Sequence, residues 1–386
     1  MKSIYLDNAA TTKMHTSVKK AMAEAEEKYF GNSSSIHKIG RETKDELDKA
    51  REHISKKVNS KNHKLIFTSG GTESNNFAIK GLAEANKNKK HIITTKIEHD
   101  SIINTTKYLE KNGHSVPYLD VDKFGFVKID GLEKALKKDT LVVSVIQGNN
   151  EIGTLQNIKE ISKVVHDNGS ILHVDACQSF TKYPIDVEKE NIDLLTINAH
   201  KIYGPKGIGG LFVREGIKLE PLLHGGGHEY KLRSGTVNVP GIAGFSKATD
   251  VISEKEIEHM ESLRNLLVKG LSGVSDSWLN GPSIDSNKRL CNNANISFMY
   301  AEGEAILLYL DNLGISVSTG SACSSNTLEP SHVLKAIGLK QEQTHGTVRF
   351  SVGIDNTKEE IKFTIDSIKD TIEKLRKMNP YKYKVK

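Results

Sequence analysis

Short apolar segments alternate with amphipathic segments along the first two thirds of the chain. We predict buried strands at 65–68, 91–95, 141–145, 171–174, 194–197 and 210–213. Between and before them, apolar residues recur at the spacing of a helix face. Examples are the sets Val18, Met22, Ala25 and Tyr29, and Leu47, Ala50 and Ile54. Strands that alternate with helices favour an α/β fold with a mostly parallel sheet.

The last third of the chain shows a different pattern. A long helix is predicted from Ile257, with an apolar face formed by Met260, Leu263, Leu267 and Leu271. A strand is expected at 295–298, and an amphipathic helix begins near 356–357 and ends before Pro380. Because 386 residues exceed one average domain, we expect a second, smaller α+β domain here.

Composition limits the classes of partner. The net charge of +6 is diffuse along the chain, so we expect no direct binding to nucleic acid. Three widely spaced cysteines suggest neither a disulfide framework nor a metal site. The chain has no apolar run of signal or membrane length. We therefore expect a cytoplasmic protein without a membrane segment.

The segment 198–207 places one lysine at the exit of a predicted strand. Lys201 follows the apolar run 193–197, and the next strand is predicted within 207–213. Ligands of α/β sheets bind at such strand ends, where a partly desolvated amine becomes nucleophilic toward an aldehyde. A solvated loop lysine is the ordinary alternative. The neighbouring motifs favour a Schiff-base lysine.

Two further motifs suit pyridoxal phosphate. Asp175 ends an apolar strand, and an ionised carboxylate there can keep a pyridine nitrogen protonated. The segment 67–76 leaves a strand through small and hydroxylated residues into a helix, which resembles a phosphate cradle. Helix capping alone could explain either motif. Together with Lys201 they predict a site for this cofactor.

A thiol lies far downstream in the segment 316–327, where every residue except Val317 is small or polar. Such a segment cannot pack a core, so we expect a mobile loop with an exposed Cys323. Free cysteines are usually buried, and an exposed one indicates nucleophilic sulfur chemistry.

These motifs resemble the cysteine desulfurases, in the class V aminotransferase group of fold-type I pyridoxal phosphate enzymes. The resemblance runs nearly from end to end and includes YLDNAATT (5–12), GNSSSIH (31–37), GRE (40–42), EHDS (98–101), NNEIG (149–153), RSGT (233–236) and TVRFS (347–351). The thiol segment TGSACSS (319–325) resembles the long-loop subfamily that serves iron–sulfur assembly. The resemblance implies a large domain at 13–256 and a small domain formed by 1–12 and 257–386, which carries the Cys323 loop.

The resemblance also implies roles for matched residues. The implied cofactor-binding residues are Gly71, Thr72, His99, Asn150, Asp175, Gln178, Asn198, His200, Lys201 and Thr236, the last reaching across a homodimer. Asn150 and Arg349 would hold the substrate, and His99 would stack on the ring and move protons. Lys201 would form the Schiff base, and Cys323 would accept sulfur. No residue is implied as a metal ligand.

The resemblance predicts conversion of L-cysteine to L-alanine, with a persulfide left on Cys323. An iron–sulfur scaffold protein is the expected sulfur acceptor, and transfer-RNA thiolation is a further possible use. The alternatives are a selenocysteine lyase or another class V lyase or aminotransferase, and a non-catalytic scaffold. Departures from the family pattern occur at Ser33, Asn198, Tyr230, Lys231 and Cys291. An Asn198 amide can still donate to a phosphate.

Overall fold

The computed structural model describes residues 3–319 and 330–379. Within them the strands are β1 (Ile4–Tyr5), β2 (His63–Thr68), β3 (His91–Thr95), β4 (Tyr118–Leu119), β5 (Thr140–Ile146), β6 (Ile171–Asp175), β7 (Leu194–Asn198), β8 (Gly209–Arg214), β9 (Ser277–Asn280), β10 (Asn293–Phe298), β11 (Ile315–Ser316) and β12 (Thr347–Ser351). The α-helices are α1 (Thr16–Lys28), α2 (Lys38–Lys56), α3 (Gly71–Ala85), α4 (Asp100–Lys111), α5 (Ile129–Ala135), α6 (Ile158–Asp167), α7 (Val239–Ala248), α8 (Glu254–Leu271), α9 (Gly303–Asn312), α10 (His332–Ala336), α11 (Gln341–His345) and α12 (Lys358–Met378).

The larger sheet contains seven strands in the described part of the chain, in the order β2, β8, β7, β6, β5, β3, β4. Strands β7, β6, β5, β3 and β4 are parallel, which confirms the predicted mostly parallel α/β sheet. Strand β8 runs antiparallel to both β7 and β2. The link at 199–208 can be short because an antiparallel neighbour needs no crossover helix.

Helices cover both faces of this sheet. One layer packs Phe77, Leu82, Ile102 and Leu109 of α3 and α4 against sheet residues such as Ile92. The other face packs against α2, α6 and α7 within the main core. All seven residues of β5 and all five of β7 are buried, as expected for strands covered on both faces. The sheet is therefore a rigid support for the side chains at its strand ends.

The C-terminal part forms an antiparallel sheet in the order β12, β10, β9, against which α8 packs, and α12 packs against α8 and α9. The predicted helix from Ile257 begins slightly earlier, at Glu254, because Ser253 and Glu256 form a capping box there. Helix α12 begins after Thr357, which caps it in the same way. The predicted strand at 295–298 lies within β10.

The N-terminal residues pair with this part of the chain. Strand β1 is parallel to β11, with Ile4 opposite Ile315. The Asn8 side chain donates to the carbonyl oxygen of Ser351 at 2.9 Å. The division into domains at 12/13 and 256/257 stays a prediction. No helix among the described residues is long and apolar enough to cross a membrane.

Candidate active site

A cavity of about 300 Å³ lies at the carboxyl ends of β5, β6 and β7. The last residue of each of these strands reaches it, namely Ile146, Asp175 and Asn198. Parallel strands that end at one edge bring side chains from distant sequence positions together. The lining residues are Ala9, Ala10, Gly71, Thr72, Asn75, Glu98, His99, Asp100, Ser101, Ile146, Asn150, Glu151, Asp175, Cys177, Gln178, Asn198, His200, Lys201, His332 and Arg349.

The beginning of α3 forms one wall of the cavity. No side chain caps this 15-residue helix, whose N-cap is Gly70, so its first backbone N–H groups are available to an anion. A Cβ atom on Gly71 would lie 2.5 Å from Cys177 Sγ and 3.4 Å from Asn198 Nδ2. Only glycine allows this close approach of the helix end to the sheet. Asn198 Oδ1 is buried and has no hydrogen-bond partner in the described part of the chain.

Asp175 is the buried carboxylate at the end of β6. Its Oδ1 accepts from the backbone N–H of Cys177 at 2.9 Å, and its Oδ2 accepts from Asn75 Nδ2 at 2.7 Å. These two donors fix the plane of the carboxyl group. The negative charge is therefore oriented before any ligand binds.

The loop that carries Lys201 is held from both sides. Thr12 Oγ1 donates to the carbonyl oxygen of His200 at 2.8 Å, and the backbone N–H of Tyr203 donates to the same hydroxyl. In addition, Lys182 Nζ donates to the carbonyl oxygen of Lys201 at 3.2 Å. Burial and then the nearby Lys201 charge lower the pKa of His200 to about 4, so its ring is neutral. The lysine thus extends from a fixed backbone.

Arg349 is a nearly fully buried guanidinium on β12. Its Nη2 donates to Asp7 Oδ1 at 2.8 Å, and its Nη1 donates to the carbonyl oxygen of Asn150 at 3.2 Å. Its Nε is buried and has no hydrogen-bond partner among residues 3–319 and 330–379. A buried donor without a partner is costly. The arrangement suits a ligand carboxylate, which can accept from this fork of donors.

His99 caps α4 and faces the same cavity. Its Nδ1 accepts from the backbone N–H of Ser101 at 3.1 Å and lies 2.9 Å from Ser101 Oγ. Ser101 Oγ in turn accepts from Asn75 Nδ2, which also donates to Asp175. Burial, followed by the charge of Lys201, lowers the pKa of His99. The His99 ring is thereby connected to the Asp175 carboxylate through two side chains.

The structure brings most of the predicted site residues together. Those that line the cavity are Gly71, Thr72, His99, Asn150, Asp175, Gln178, Asn198, His200, Lys201 and Arg349. Gln178 also donates from Nε2 to the carbonyl oxygen of Ala9 at 2.8 Å. Thr236 is exposed on the loop before α7 and does not line the cavity. Cys323 lies outside the described residues.

Several cavity residues were not predicted from the sequence. Asn75 lies one helical turn after Gly71, so its position on the same helix face was a usable signal. Glu98 and Glu151 are buried carboxyl groups whose pKa is raised by burial. His332 comes from the small α10, and no local pattern places it beside His99.

These residues fit pyridoxal 5′-phosphate. The uncapped start of α3 with Gly71 suits a phosphate, the fixed carboxylate of Asp175 suits a pyridinium nitrogen, and Lys201 suits an aldehyde. Asn198 adds a buried amide whose Nδ2 can donate to a phosphate. Bound there, the cofactor would supply an electron sink for reactions at the α-carbon of an amino acid.

The chain belongs to the class V aminotransferase family, whose sequence profile matches residues 4–363. Enzymes of this class depend on pyridoxal phosphate, and this chain is therefore a pyridoxal phosphate-dependent enzyme. Among its relatives, the cysteine desulfurase IscS of Dictyoglomus turgidum is 49% identical over 386 residues, which cover 99% of this chain and 97% of that protein. The cysteine desulfurase IscS of Methanosarcina thermophila is 46% identical and covers 98% and 94% of the two chains.

Solved structures agree with the sequence relatives. A NifS-like protein superimposes with a TM-score of 0.90 at 36% identity, covering 96% of this chain and all of the other. A protein described as SspA in complex with cysteine gives a TM-score of 0.82 at 33% identity, covering 92% of this chain and all of the other. The predicted family and fold class are confirmed.

Proposed function

We propose that this site removes sulfur from L-cysteine, forms L-alanine and leaves the sulfur on Cys323 as a persulfide. The chain is a cysteine desulfurase, the activity named for relatives that share 43–49% of its sequence over nearly its full length. The observation that carries the proposal is one cavity with an amine, a fixed carboxylate, an anion cradle and a buried guanidinium. One solved relative of this fold is described as a complex with cysteine.

Each residue has a definite task in this reaction. Gly71, Thr72 and the first N–H groups of α3 hold the cofactor phosphate, with Asn198 and His200 beside them. Asp175 keeps the ring nitrogen protonated, and Gln178 reaches the ring hydroxyl. The Lys201 amine binds the cofactor aldehyde and then moves the proton of the substrate α-carbon. When bound, the cofactor supplies the electron sink that makes this proton removable.

Substrate recognition rests on the guanidinium of Arg349. It holds the L-cysteine carboxylate with its fork of donors, and Asn150 lies next to it. His99 would stack on the cofactor ring and would donate a hydrogen bond from Nε2, because its Nδ1 accepts from Ser101. The carboxylate anchor and the Lys201 amine together fix the side of the α-carbon that faces the base.

The sulfur step is balanced without an outside oxidant. The Cys323 thiolate attacks the substrate sulfur, the carbon–sulfur bond breaks, and a sulfur–sulfur bond forms. The bond electrons stay with the substrate carbon, which takes up a proton and becomes the methyl group of alanine. A thiol reductant or a partner protein then removes the sulfur from Cys323.

The other cysteines do not suit this step. Burial raises the pKa of Cys291 to about 11, so almost no thiolate exists there near neutral pH. Burial also raises the pKa of Cys177 strongly. Thiolates are the reactive form, and neither buried group can travel to an acceptor protein. These observations support Cys323 as the persulfide site.

The proposal includes two protein partners, a second copy of this chain and a sulfur acceptor. We assign the chain to a cytoplasmic homodimer in which Thr236, exposed on its loop, reaches the phosphate of the opposite subunit. An iron–sulfur scaffold protein is the proposed sulfur acceptor. Sedimentation of the active enzyme tests the dimer, because an active monomer contradicts the role of Thr236.

The test of the function compares the intact protein with Cys323→Ser and with the matched control Cys291→Ala. Alanine and sulfide released from L-cysteine are measured with a thiol reductant present. Equal amounts of both products, lost only in Cys323→Ser, are expected. Pyruvate in place of alanine, or full turnover by Cys323→Ser, contradicts the proposal. Unchanged visible absorption of the bound cofactor shows that the variants are folded.

A further inference from the structure

Two histidines line the cavity from different parts of the chain. His99 stands at the start of α4 and His332 at the start of α10, and both border the same space as Lys201 and Arg349. The neutral imidazole ring has one nitrogen that donates and one that accepts. In each ring, one nitrogen is hydrogen-bonded to the protein. The other nitrogen determines whether the ring can donate a proton to a substrate or accept one.

In His99, the nitrogen that accepts is already hydrogen-bonded within the protein. The backbone N–H of Ser101 can only donate, so His99 Nδ1, 3.1 Å away, carries the lone pair. The ring hydrogen of the neutral form is therefore on Nε2. Burial lowers the pKa of His99, which favours this neutral form. Toward the cavity His99 is a hydrogen-bond donor, and its lone pair is occupied.

In His332, the nitrogen that donates is already hydrogen-bonded within the protein. Its Nε2 lies 2.9 Å from the carbonyl oxygen of Glu98, and a carbonyl oxygen can only accept. Nε2 therefore carries the hydrogen, and Nδ1 carries the lone pair. No hydrogen bond joins Nδ1 to any residue within 3–319 or 330–379. The free nitrogen of His332 is thus a proton acceptor.

The position of the His332 ring is fixed by the residue before it. Ser331 Oγ donates to Glu151 Oε2 at 2.5 Å and accepts from the backbone N–H groups of Val333 and Leu334. Glu151 is buried, so this hydroxyl ties the start of α10 to the cavity wall. Together with the bond to Glu98, these contacts hold the His332 ring from two sides.

We propose that His332 is the base that takes a proton from the ammonium group of the incoming L-cysteine. This role rests on the proposed function, because an amino-acid substrate arrives with a protonated amine that cannot attack a carbon atom. One N–H bond of the ammonium group breaks, and an N–H bond forms at His332 Nδ1. The half-buried imidazolium then returns the proton to water. No electrons are transferred.

Charged groups of both signs line the cavity. The titratable and charged groups that face it are Glu98, His99, Asp100, Glu151, Asp175, His200, Lys201 and Arg349. Among them, the pKa of Glu151 is raised by burial and lowered by the charge of His332. Proton uptake by His332 therefore favours ionisation of Glu151, which returns a compensating negative charge.

Two variants of His332 distinguish a role as a proton acceptor from a purely structural role. His332→Gln keeps an amide that can donate to the Glu98 carbonyl but has no basic nitrogen, whereas His332→Ala loses both. His345→Gln is the matched control, on an exposed histidine of α11. The rate of the absorbance change after mixing the cofactor-loaded enzyme with L-cysteine is measured between pH 6 and 9, with and without imidazole.

We expect both His332 variants to react about 100-fold more slowly near pH 7, the typical contribution of a general base. Imidazole should restore His332→Ala, which leaves room for it, more than His332→Gln. The acidic limb of the rate profile should change in both variants and not in His345→Gln. Recovery of the parent rate by His332→Gln alone overturns the proposal, because an anchor would then suffice.

A second measurement does not depend on turnover. Nitrogen-15 spectra of the histidines in the intact protein should show His332 with its hydrogen on Nε2 and an unprotonated Nδ1. A hydrogen on Nδ1 would overturn the proposal even if the variants fail to fold. If the intact enzyme releases no alanine from L-cysteine, the proposed function itself fails, an outcome distinct from either of these.

Discussion

Glu98 provides a test of how strongly the cavity wall controls ionisation. Its Oε1 accepts from Thr95 Oγ1 at 2.6 Å and from the backbone N–H of Ile146 at 3.0 Å. Its Oε2 is buried and has no hydrogen-bond partner among the residues that the structure describes. Burial raises the pKa of Glu98 from 4.5 to about 8. In Glu98→Gln the amide oxygen can accept from the same two donors, and the titration is removed.

The sign and size of the effect follow from this difference in pKa. In the unfolded chain Glu98 loses its proton near pH 4.5, whereas in the folded protein it keeps it to about pH 8. The contribution of the protonated Glu98 to the stability of the folded protein is therefore fully present below pH 4.5 and is lost as the pH rises to about 8. At about 1.4 kcal/mol per pH unit, the parent should lose about 4 kcal/mol relative to Glu98→Gln between pH 5 and 8.

Thermal unfolding converts this free energy into a temperature. A chain of 386 residues has an unfolding entropy of about 0.8 kcal/mol/K, so 4 kcal/mol corresponds to about 5 °C. The difference in Tm between Glu98→Gln and the parent is measured at several pH values. Pyridoxal phosphate is omitted so that its binding adds no pH dependence of its own.

The exposed Glu84 on α3 supplies the control, because Glu84→Gln changes the same chemical group in solvent. We expect Glu84→Gln to follow the parent across the range. A Tm difference between Glu98→Gln and the parent that stays constant from pH 5 to 8 would refute the reasoning, since Glu98 would then be ionised in the folded protein.

Three further changes probe the walls of the cavity. Arg349→Lys should raise KM for L-cysteine by roughly 10- to 100-fold, because one charge-assisted hydrogen bond of about 1.5–3 kcal/mol is lost; initial rates over a range of L-cysteine concentrations check this. Gly71→Ala should weaken pyridoxal phosphate binding, since the new Cβ would lie 2.5 Å from Cys177 Sγ. Spectral titration should show recovery in the double variant with Cys177→Ala, and no recovery would contradict the steric cause. Ser331→Ala should lower Tm by about 1–4 °C, because the buried Glu151 loses its donor; an unchanged Tm would show that this bond contributes nothing.

The sequence predicted the elements that have a strong local pattern. Strand β3 matches its predicted bounds, and the other predicted strands of the larger sheet differ by one or two residues at their ends, whereas the short β4 was not predicted. The antiparallel direction of β8 was not predicted, because an apolar run has the same pattern in either direction. Only the short connection at 199–208 carries that information.

For the candidate site, residues in strand-end motifs could be assigned from the sequence. Asp175 and Lys201 follow apolar strands, and the structure places both in one cavity. His332 could not be assigned, because its neighbours in the cavity other than Arg349 are more than 100 residues away in the chain. The free and occupied nitrogens of His99 and His332 depend on contacts made only after folding.

The pairing of the first residues with the last part of the chain has a consequence for synthesis. Strand β1 pairs with β11, and Asn8 donates to Ser351, so the N-terminal segment finds all of these partners only after residue 351 has been made. Thr12, in the same segment, holds the backbone beside Lys201. Contacts of such high sequence separation form late and slowly. During synthesis the enzyme therefore completes its cofactor site only after residue 351 has been made, and a change in the segment 4–12 affects catalysis as well as folding.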